Sequence, residues 1–94
     1  MRTPLSNHLR RAKNIGVTIE KHLNAIGVFS LADLARMTPV KAYLLISKQN
    51  PHKRFPVCYY LYALQGALLD LHWDDLPAKL KTALLKEVEQ ERVK

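Results

Sequence analysis

The segment from Val57 to Leu71 is the most apolar stretch of the sequence, and it constrains the fold more than any other. Its apolar residues cover more than one face of a helix instead of forming a single stripe. They are Cys58, Leu61, Ala63, Leu64, Ala67, Leu68 and Leu71. A helix that is apolar nearly all round has to be enclosed by other elements. The sequence therefore predicts that residues 57–71 form the central helix of the domain.

Gly66 lies in the middle of this predicted helix. Glycine inside a helix costs about 1 kcal/mol in helix propensity relative to alanine. We expect the compensation to be a neighbouring helix that approaches so closely that a Cβ would obstruct it.

Residues 1–37 carry the signals of three short helices joined by tight turns. Leu5, Leu9 and Ala12 share one face of a helix over residues 5–13. Gly16, which adopts a positive φ at little cost, is expected to end it, and Thr18 to N-cap the second helix. Gly27 is expected to end the second helix as its C′ residue. Ser30 is expected to N-cap the third helix, with Asp33 reaching back to it. The buried side of the third helix is expected to consist of Leu31, Leu34 and Ala35.

The rest of the chain adds two helices and no strand pattern. Thr38-Pro39 is an N-cap followed by an N1 proline, and it opens a helix that ends near residues 49–51. Residues 51–56 form a rigid, basic connector to the central helix. The last helix is expected to start at residues 74–77, and beyond Val88 the polar sequence is expected to fray or project. The predicted fold class is all-α, a compact bundle of five to six short helices.

Length and composition indicate one domain over residues 1–94, with a core of about residues 10–86 and a polar tail at 89–94. The single Cys58 cannot form an internal disulfide, and its apolar neighbours predict that it is buried. That is typical of a reducing compartment. There is no apolar run of about 20 residues and no secretory signal at the N-terminus. We expect a soluble cytoplasmic protein that does not contact membranes.

The net charge of +7 is distributed unevenly along the chain. Residues 1–60 hold ten Lys and Arg residues against Glu20 and Asp33, a net charge of +8, whereas residues 61–94 have a net charge of −1. A basic surface indicates a polyanionic partner. Composition alone is equally consistent with a solvated surface rich in lysine.

No residue constellation of an enzyme or a cofactor site is present. The four histidines, at positions 8, 22, 52 and 72, have neither the spacing of a metal site nor a cysteine pair beside them. The glycines at 16, 27 and 66 form no phosphate-binding loop. Asp74 and Asp75 favour the positive start of the last helix, and Trp73 is expected to pack in the core. We therefore expect a non-enzymatic protein without cofactor or metal.

The hairpin between the first two predicted helices is the candidate functional element. A tight turn that leads into a helix N-terminus exposes backbone N–H groups to an anion, and nearby cations attract a nucleic-acid backbone. The alternative is a purely structural turn. Likewise, the four tyrosines (43, 59, 60 and 62) are expected in core or interface packing, the alternative being base stacking. The candidate DNA contacts are Arg10, Arg11, Lys13, Gly16, Thr18 and Lys21, extended by Lys53 and Arg54 if the fold brings them alongside.

Two blocks of the sequence resemble the C-terminal domain of the TfoX (Sxy) family. The first is the hairpin segment 14–28 with residues 31–34. The second is Leu61-Tyr62-Ala63-Leu64-Gln65-Gly66-Ala67-Leu68, followed by Trp73-Asp74-Asp75-Leu76-Pro77 and Lys81. The resemblance covers about residues 10–86, with both blocks in the family's order and spacing. The turns at 15–16 and 26–28 are also similar to those of the C-terminal domain of the RNA polymerase α-subunit.

The resemblance implies a small all-helical domain similar to helix–hairpin–helix and SAM-like modules. It also implies a bacterial regulator of natural competence, in a family whose members act in transcription beside the cAMP receptor protein. The family's pattern after the hairpin glycine is often proline and a polar or basic residue, where this sequence has Val17-Thr18. Full-length members carry an α/β domain ahead of this one, and whether a separate chain supplies it stays open.

These observations lead to two hypotheses on function. In the first, the chain is a regulatory domain that contacts the DNA backbone weakly through the basic hairpin, with a transcription factor or RNA polymerase supplying sequence specificity. In the second, it is a protein-interaction module, including the case of a homodimer, whose basic face meets an acidic surface and does not bind DNA.

Overall fold

The structure, a computed structural model, describes residue 9 and residues 11–92, with the backbone alone at 57 and 58. This part of the chain contains five α-helices and one short 3-10 helix. The elements are α1 (Val17–Ala25), α2 (Leu31–Met37), α3 (Pro39–Gln49), α4 (Val57–Leu69), the 3-10 helix (Trp73–Asp75) and α5 (Ala78–Arg92). Leu9 and Arg11 are also helical. These residues contain no strand, so the all-α prediction is confirmed. The rest of the predicted helix 5–13, and the predicted burial of Cys58, lie outside the described residues.

α4 is the central helix that its sequence predicted. Its residues 60–64 and 67 are buried, and the helix packs against α2, α3, α5 and the 3-10 helix. It ends at Leu69, two residues earlier than predicted, because Asp70 takes a left-handed conformation with φ of 59°. The Leu71 N–H then donates to the Gly66 carbonyl at 2.9 Å, which turns the chain back along the helix end.

Gly66 is needed at the end of α4 because other groups occupy the space of its Cβ. A Cβ there would lie 2.5 Å from the Leu71 carbonyl oxygen and 2.7 Å from Nδ2 of Asn14. The prediction of a close approach was right, but the prediction of a neighbouring helix was wrong. The approaching groups are the chain's own return after α4 and a side chain of the hairpin turn.

Most of the predicted helix ends are confirmed. Ser30 Oγ accepts the Asp33 N–H at 3.1 Å, and Asp33 Oδ2 accepts the Phe29 N–H at 3.0 Å. Thr38 caps α3 ahead of Pro39. Gly27 has φ of 90° and donates to the Asn24 carbonyl, while Val28 donates to the Leu23 carbonyl, which together form a Schellman motif.

The predicted start of α1 was wrong by two residues. Its N-cap is Gly16, not Thr18, and Gly16 has an extended backbone with φ of −100°. The positive φ in this turn belongs to Asn14, at 70°. Asparagine tolerates the left-handed conformation, and here hydrogen bonds of its side chain hold it there.

The C-terminal half differs from prediction in three details. Asp74 and Asp75 lie in the 3-10 helix, and α5 begins only at Ala78. α5 continues through the polar residues to Arg92, because glutamate, glutamine and arginine are good helix formers. The helical spacing of Leu80, Leu84, Leu85 and Val88 predicts the buried face of α5, but Leu85 is exposed. In the N-terminal half, Ala35 of the predicted buried side is exposed as well. Within residues 9 and 11–92, no helix is long and apolar enough to cross a membrane.

Gly66→Ala should destabilise the fold although alanine is the better helix former. The added methyl group meets a backbone carbonyl that cannot move without displacing the chain after α4, and we expect a loss of about 1–3 kcal/mol in the free energy of unfolding. Urea denaturation followed by circular dichroism measures it. Gly16→Ala is the control, because a Cβ at Gly16 meets nothing within 4 Å. Equal losses in the two variants would contradict the steric explanation.

Candidate nucleic-acid interface

The hairpin turn before α1 is held by the side chain of Asn14. Its Nδ2 donates to the Leu71 carbonyl at 2.9 Å and to the Ala63 carbonyl at 3.3 Å. Its Oδ1 accepts the Trp73 N–H at 3.2 Å. Three hydrogen bonds from one side chain therefore fasten the turn to α4 and to the start of the 3-10 helix. They fix where α1 begins on the surface of the molecule.

The N-terminus of α1 is open to an incoming anion. Gly16 is exposed and supplies no side-chain cap, and the first helical N–H with an acceptor is that of Glu20, which donates to the Gly16 carbonyl. The N–H groups of Val17, Thr18 and Ile19 have no acceptor among the described residues. Free amides at a helix start attract negative charge because they point along the helix dipole.

Three exposed residues of α1 share one face of the helix with these amides. Val17, Thr18 and Lys21 lie at helical spacing, and the Val17 side chain is 54% exposed. Lys21 therefore lies one turn along the helix from the free N–H groups, and the exposed Val17 adds a small apolar surface at the helix start.

The connector between α3 and α4 is fastened to α1 by aromatic contacts. The Phe55 ring packs edge-on against His22 at 5.2 Å and against Tyr60 at 4.9 Å between ring centroids. His22 Nδ1 and the Tyr60 hydroxyl are hydrogen-bonded at 2.5 Å. The buried Tyr43 donates its hydroxyl to the Phe55 carbonyl at 2.6 Å. These contacts bring the basic residues 53 and 54 beside α1.

Burial and the charges of two lysines act on His22 in this cluster. Partial burial lowers the pKa of His22 below 6.5, and the positive charges of Lys53 and Lys21 lower it further. Burial, together with the neighbouring Tyr59, raises the pKa of Tyr60 to about 12, so its hydroxyl keeps its proton at neutral pH. Lys21 and Lys53, 32 positions apart in the sequence, therefore belong to one positively charged surface.

Arg11 lies near the C-terminal end of α4, away from His22. It lines a shallow groove of about 620 Å³ together with residues from the start of α2 and the end of α4, among them Ala67 and Asp70. Tyr60, Ala63 and Ala67 are spaced to share one face of α4. His22 contacts the helix at Tyr60, Asn14 contacts it at Ala63, and Arg11 lines the groove beside Ala67. These three positions on α4 span about 10 Å at 1.5 Å per residue.

The structure brings most of the predicted contact residues to one side of α4, but not into one cluster. Lys21 and Lys53 both lower the pKa of His22, Gly16 and Thr18 are at the start of the same helix as Lys21, and Arg11 lines a separate groove. Lys13 and Arg54 are exposed beside the turn and beside Phe55. The predicted contact Arg10 lies outside the described residues. None of the described candidates is in an ion pair within this part of the chain, whereas Arg36 pairs with Asp33 and Lys81 with Asp74.

Sequence reasoning missed two residues that shape this surface. From the sequence alone, Asn14 is placed only in the turn, although asparagine next to a helix end is a signal for a left-handed residue. His22 is tested there only for the spacing of a metal ligand. Its partners Phe55 and Tyr60 are more than 30 positions away, so no local pattern indicates the contact.

Comparisons with known proteins cover most of the chain. The model of the TfoX C-terminal domain family matches residues 5–88. A crystal structure of an uncharacterized protein from Listeria monocytogenes, in a triclinic form, is similar with a TM-score of 0.75. The two sequences are 28% identical, and the match covers 89% of this chain and 92% of that chain. No curated protein matches the sequence.

Asn14→Ala should be among the most destabilising single changes at the surface. It removes three hydrogen bonds, leaves part-buried carbonyl groups of α4 and Leu71 with fewer donors, and places alanine at a positive φ. We expect a loss of about 2–4 kcal/mol in the free energy of unfolding, measured by urea denaturation. Asn50→Ala is the control, because Asn50 makes one such bond, to the Ile46 carbonyl, and should lose about 1 kcal/mol. Equal losses would contradict the special role of Asn14.

His22 should make stability depend on pH. Its pKa in the folded state is below 6.5, so the unfolded chain binds more protons in mild acid. The free energy of unfolding should therefore fall as pH is lowered through about 6.5 towards the lowered folded pKa, and His22→Gln should remove this contribution. Urea denaturation at several pH values between 5.5 and 7.5 measures it, with His52→Gln as the control at an exposed histidine. A His22→Gln variant that keeps the full pH dependence would contradict the assignment.

Proposed function

The chain belongs to the TfoX C-terminal domain family, and from this premise we propose that it is a non-enzymatic regulatory domain that contacts the DNA backbone through its basic hairpin. The observation that carries the proposal is the uncapped N-terminus of α1, with exposed Lys21 one turn along the same helix and no ion pair to Lys21 or Lys53 among the described residues. The proposed contacts are Arg10, Arg11, Lys13, Gly16, Thr18, Lys21, Lys53 and Arg54.

The division of roles among these residues follows from their chemistry. The ammonium and guanidinium groups attract the polyanion over a distance and neutralise its phosphates. The free N–H groups of Val17, Thr18 and Ile19 hydrogen-bond a phosphate that reaches the turn, and the Thr18 hydroxyl adds a donor. Gly16 leaves room for this approach, since nothing lies within 4 Å of the position of its absent Cβ.

Such an interface recognises the backbone and not the bases. Phosphate contacts fix register and orientation, whereas sequence is read by side chains that reach base edges in a groove. The exposed start of α1 offers Val17 and Thr18, which supply little hydrogen bonding to a base edge. In this proposal a partner protein, a transcription factor or RNA polymerase, supplies the sequence specificity, and the domain acts in transcriptional regulation, including that of competence.

A salt titration tests the proposal. The chain and a short DNA duplex are mixed at 25–200 mM salt, and the dissociation constant is measured by fluorescence anisotropy. Contact with about four or five phosphates predicts a slope near −4 in the plot of log affinity against log salt, independent of DNA sequence. Lys21→Glu should weaken binding at least tenfold and flatten the slope by about one or two, because it removes one contact and adds repulsion.

Lys86→Glu provides the matched control for this variant. It makes the same change in net charge on α5, a helix that packs against α3 and α4. It should retain most of the affinity. Equal effects of the two variants would contradict a localised interface, and the absence of binding at 25 mM salt would contradict DNA contact altogether and favour the protein-interaction module with an acidic partner.

A further inference from the structure

His22 lies where α1, the connector and α4 meet. One nitrogen of its ring is hydrogen-bonded and the other has no hydrogen-bond partner among the described residues. Nδ1 is hydrogen-bonded to the Tyr60 hydroxyl at 2.5 Å, and the Phe55 ring packs against the imidazole at 5.2 Å. Nε2 makes no hydrogen bond within the part of the chain that the structure describes. His22 as a residue is half-buried, so part of it is open to solvent.

The charged side chains that lower the pKa of this ring are both lysines. Lys21 acts on it from α1 and Lys53 from the connector, while α4 contributes the phenol of Tyr60, whose ring lies 6.3 Å from that of Tyr59. Tyr60 stays neutral at physiological pH, so it offers no negative charge in return. Among the described residues no carboxylate contributes to the shift in the pKa of His22. Burial, and after it the charges of Lys53 and Lys21, disfavour the imidazolium form in the free protein, and a bound anion would favour it.

We infer that Lys21, Lys53 and His22 form a proton-linked phosphate site, in which a phosphate group of the nucleic-acid backbone binds between the two lysines and His22 takes up a proton from solution as it binds. This inference rests on the proposed function and assigns a further contact residue to it. The imidazolium donates both of its N–H groups, from Nδ1 to the Tyr60 oxygen and from Nε2 to the phosphate. The hydrogen of the Tyr60 hydroxyl turns away from the ring.

The physical basis is reciprocal coupling between the phosphate and the proton. The anion cancels the field of Lys21 and Lys53 at the ring and adds a direct attraction, so the protonated form becomes favourable. By linkage, the proton must then strengthen phosphate binding by the same factor. The hairpin amides of Val17 to Ile19 do not titrate, so a phosphate held only there gives no such coupling.

The experiment is a histidine titration by NMR on the full 94-residue chain, with and without a short DNA duplex at 50 mM salt. We expect the pKa of His22 to rise by about one unit on binding, while His52 and His72 serve as internal references. The dissociation constant, measured in the same samples, should then tighten up to about tenfold between pH 7.5 and pH 5.5. His22→Gln keeps a side-chain donor without a titrating charge, and its affinity should change much less with pH.

Two further arms make the test specific. Lys53→Gln should raise the pKa of His22 in the free protein, since it removes a repelling charge, and should reduce the rise on binding. Inorganic phosphate should raise the pKa of His22 more than chloride at equal ionic strength. A rise with inorganic phosphate but none with the duplex would overturn the inference for nucleic acid.

The outcomes separate this inference from the proposed function. Duplex binding with an unchanged pKa of His22, or with the same pH dependence in His22→Gln as in the parent chain, would overturn the proton-linked site and leave backbone contact through the hairpin intact. Absence of duplex binding at pH 5.5 and pH 7.5 would overturn both.

Discussion

The Asn14 side chain is the interaction on which the arrangement of this domain depends. It joins the hairpin turn to the Ala63 carbonyl within α4. It also joins the turn to two backbone groups of the segment after α4, the Leu71 carbonyl and the Trp73 N–H. Gly66 makes the arrangement possible, since any larger residue would occupy the space of the Asn14 amide and the Leu71 carbonyl. One amide and one missing side chain thus determine how α1 and the end of α4 lie relative to each other.

The same fastening determines what the surface presents. Because the turn is held from below by Asn14 and the adjoining Ile15 is buried, Gly16 and the amides after it are left facing outward. The connector is fixed independently, through Tyr43 and Phe55, and it brings Lys53 to the same side as Lys21. The backbone of this surface is held by α1 and by the contacts of the connector, so binding a ligand would order the lysine side chains and not the backbone that carries them.

The sequence predicted the helical fold because its signals are local. Caps such as Ser30 and Thr38, the Schellman glycine at 27 and the apolar segment of α4 can each be recognised within a few residues. The family, too, could be recognised from two short blocks. The contacts that organise the candidate interface are not local: Asn14 reaches residues 49 to 59 positions away, and His22 reaches Tyr60 at 38 positions. Such pairings depend on how the helices pack, which no single segment encodes.

The electrostatics of the Lys21–His22–Lys53 surface bear on whether it is structural or functional. Like charges held close together are unfavourable, and a surface selected for stability alone would gain by placing a carboxylate among them. The chain uses that device elsewhere, where Asp33 accompanies Arg36 and Asp74 accompanies Lys81. Among the described residues, the hairpin and connector lysines have no such partner. An anion from outside the chain is the group that would complete this surface, and phosphate supplies both the charge and the acceptors that the free amides and His22 Nε2 require.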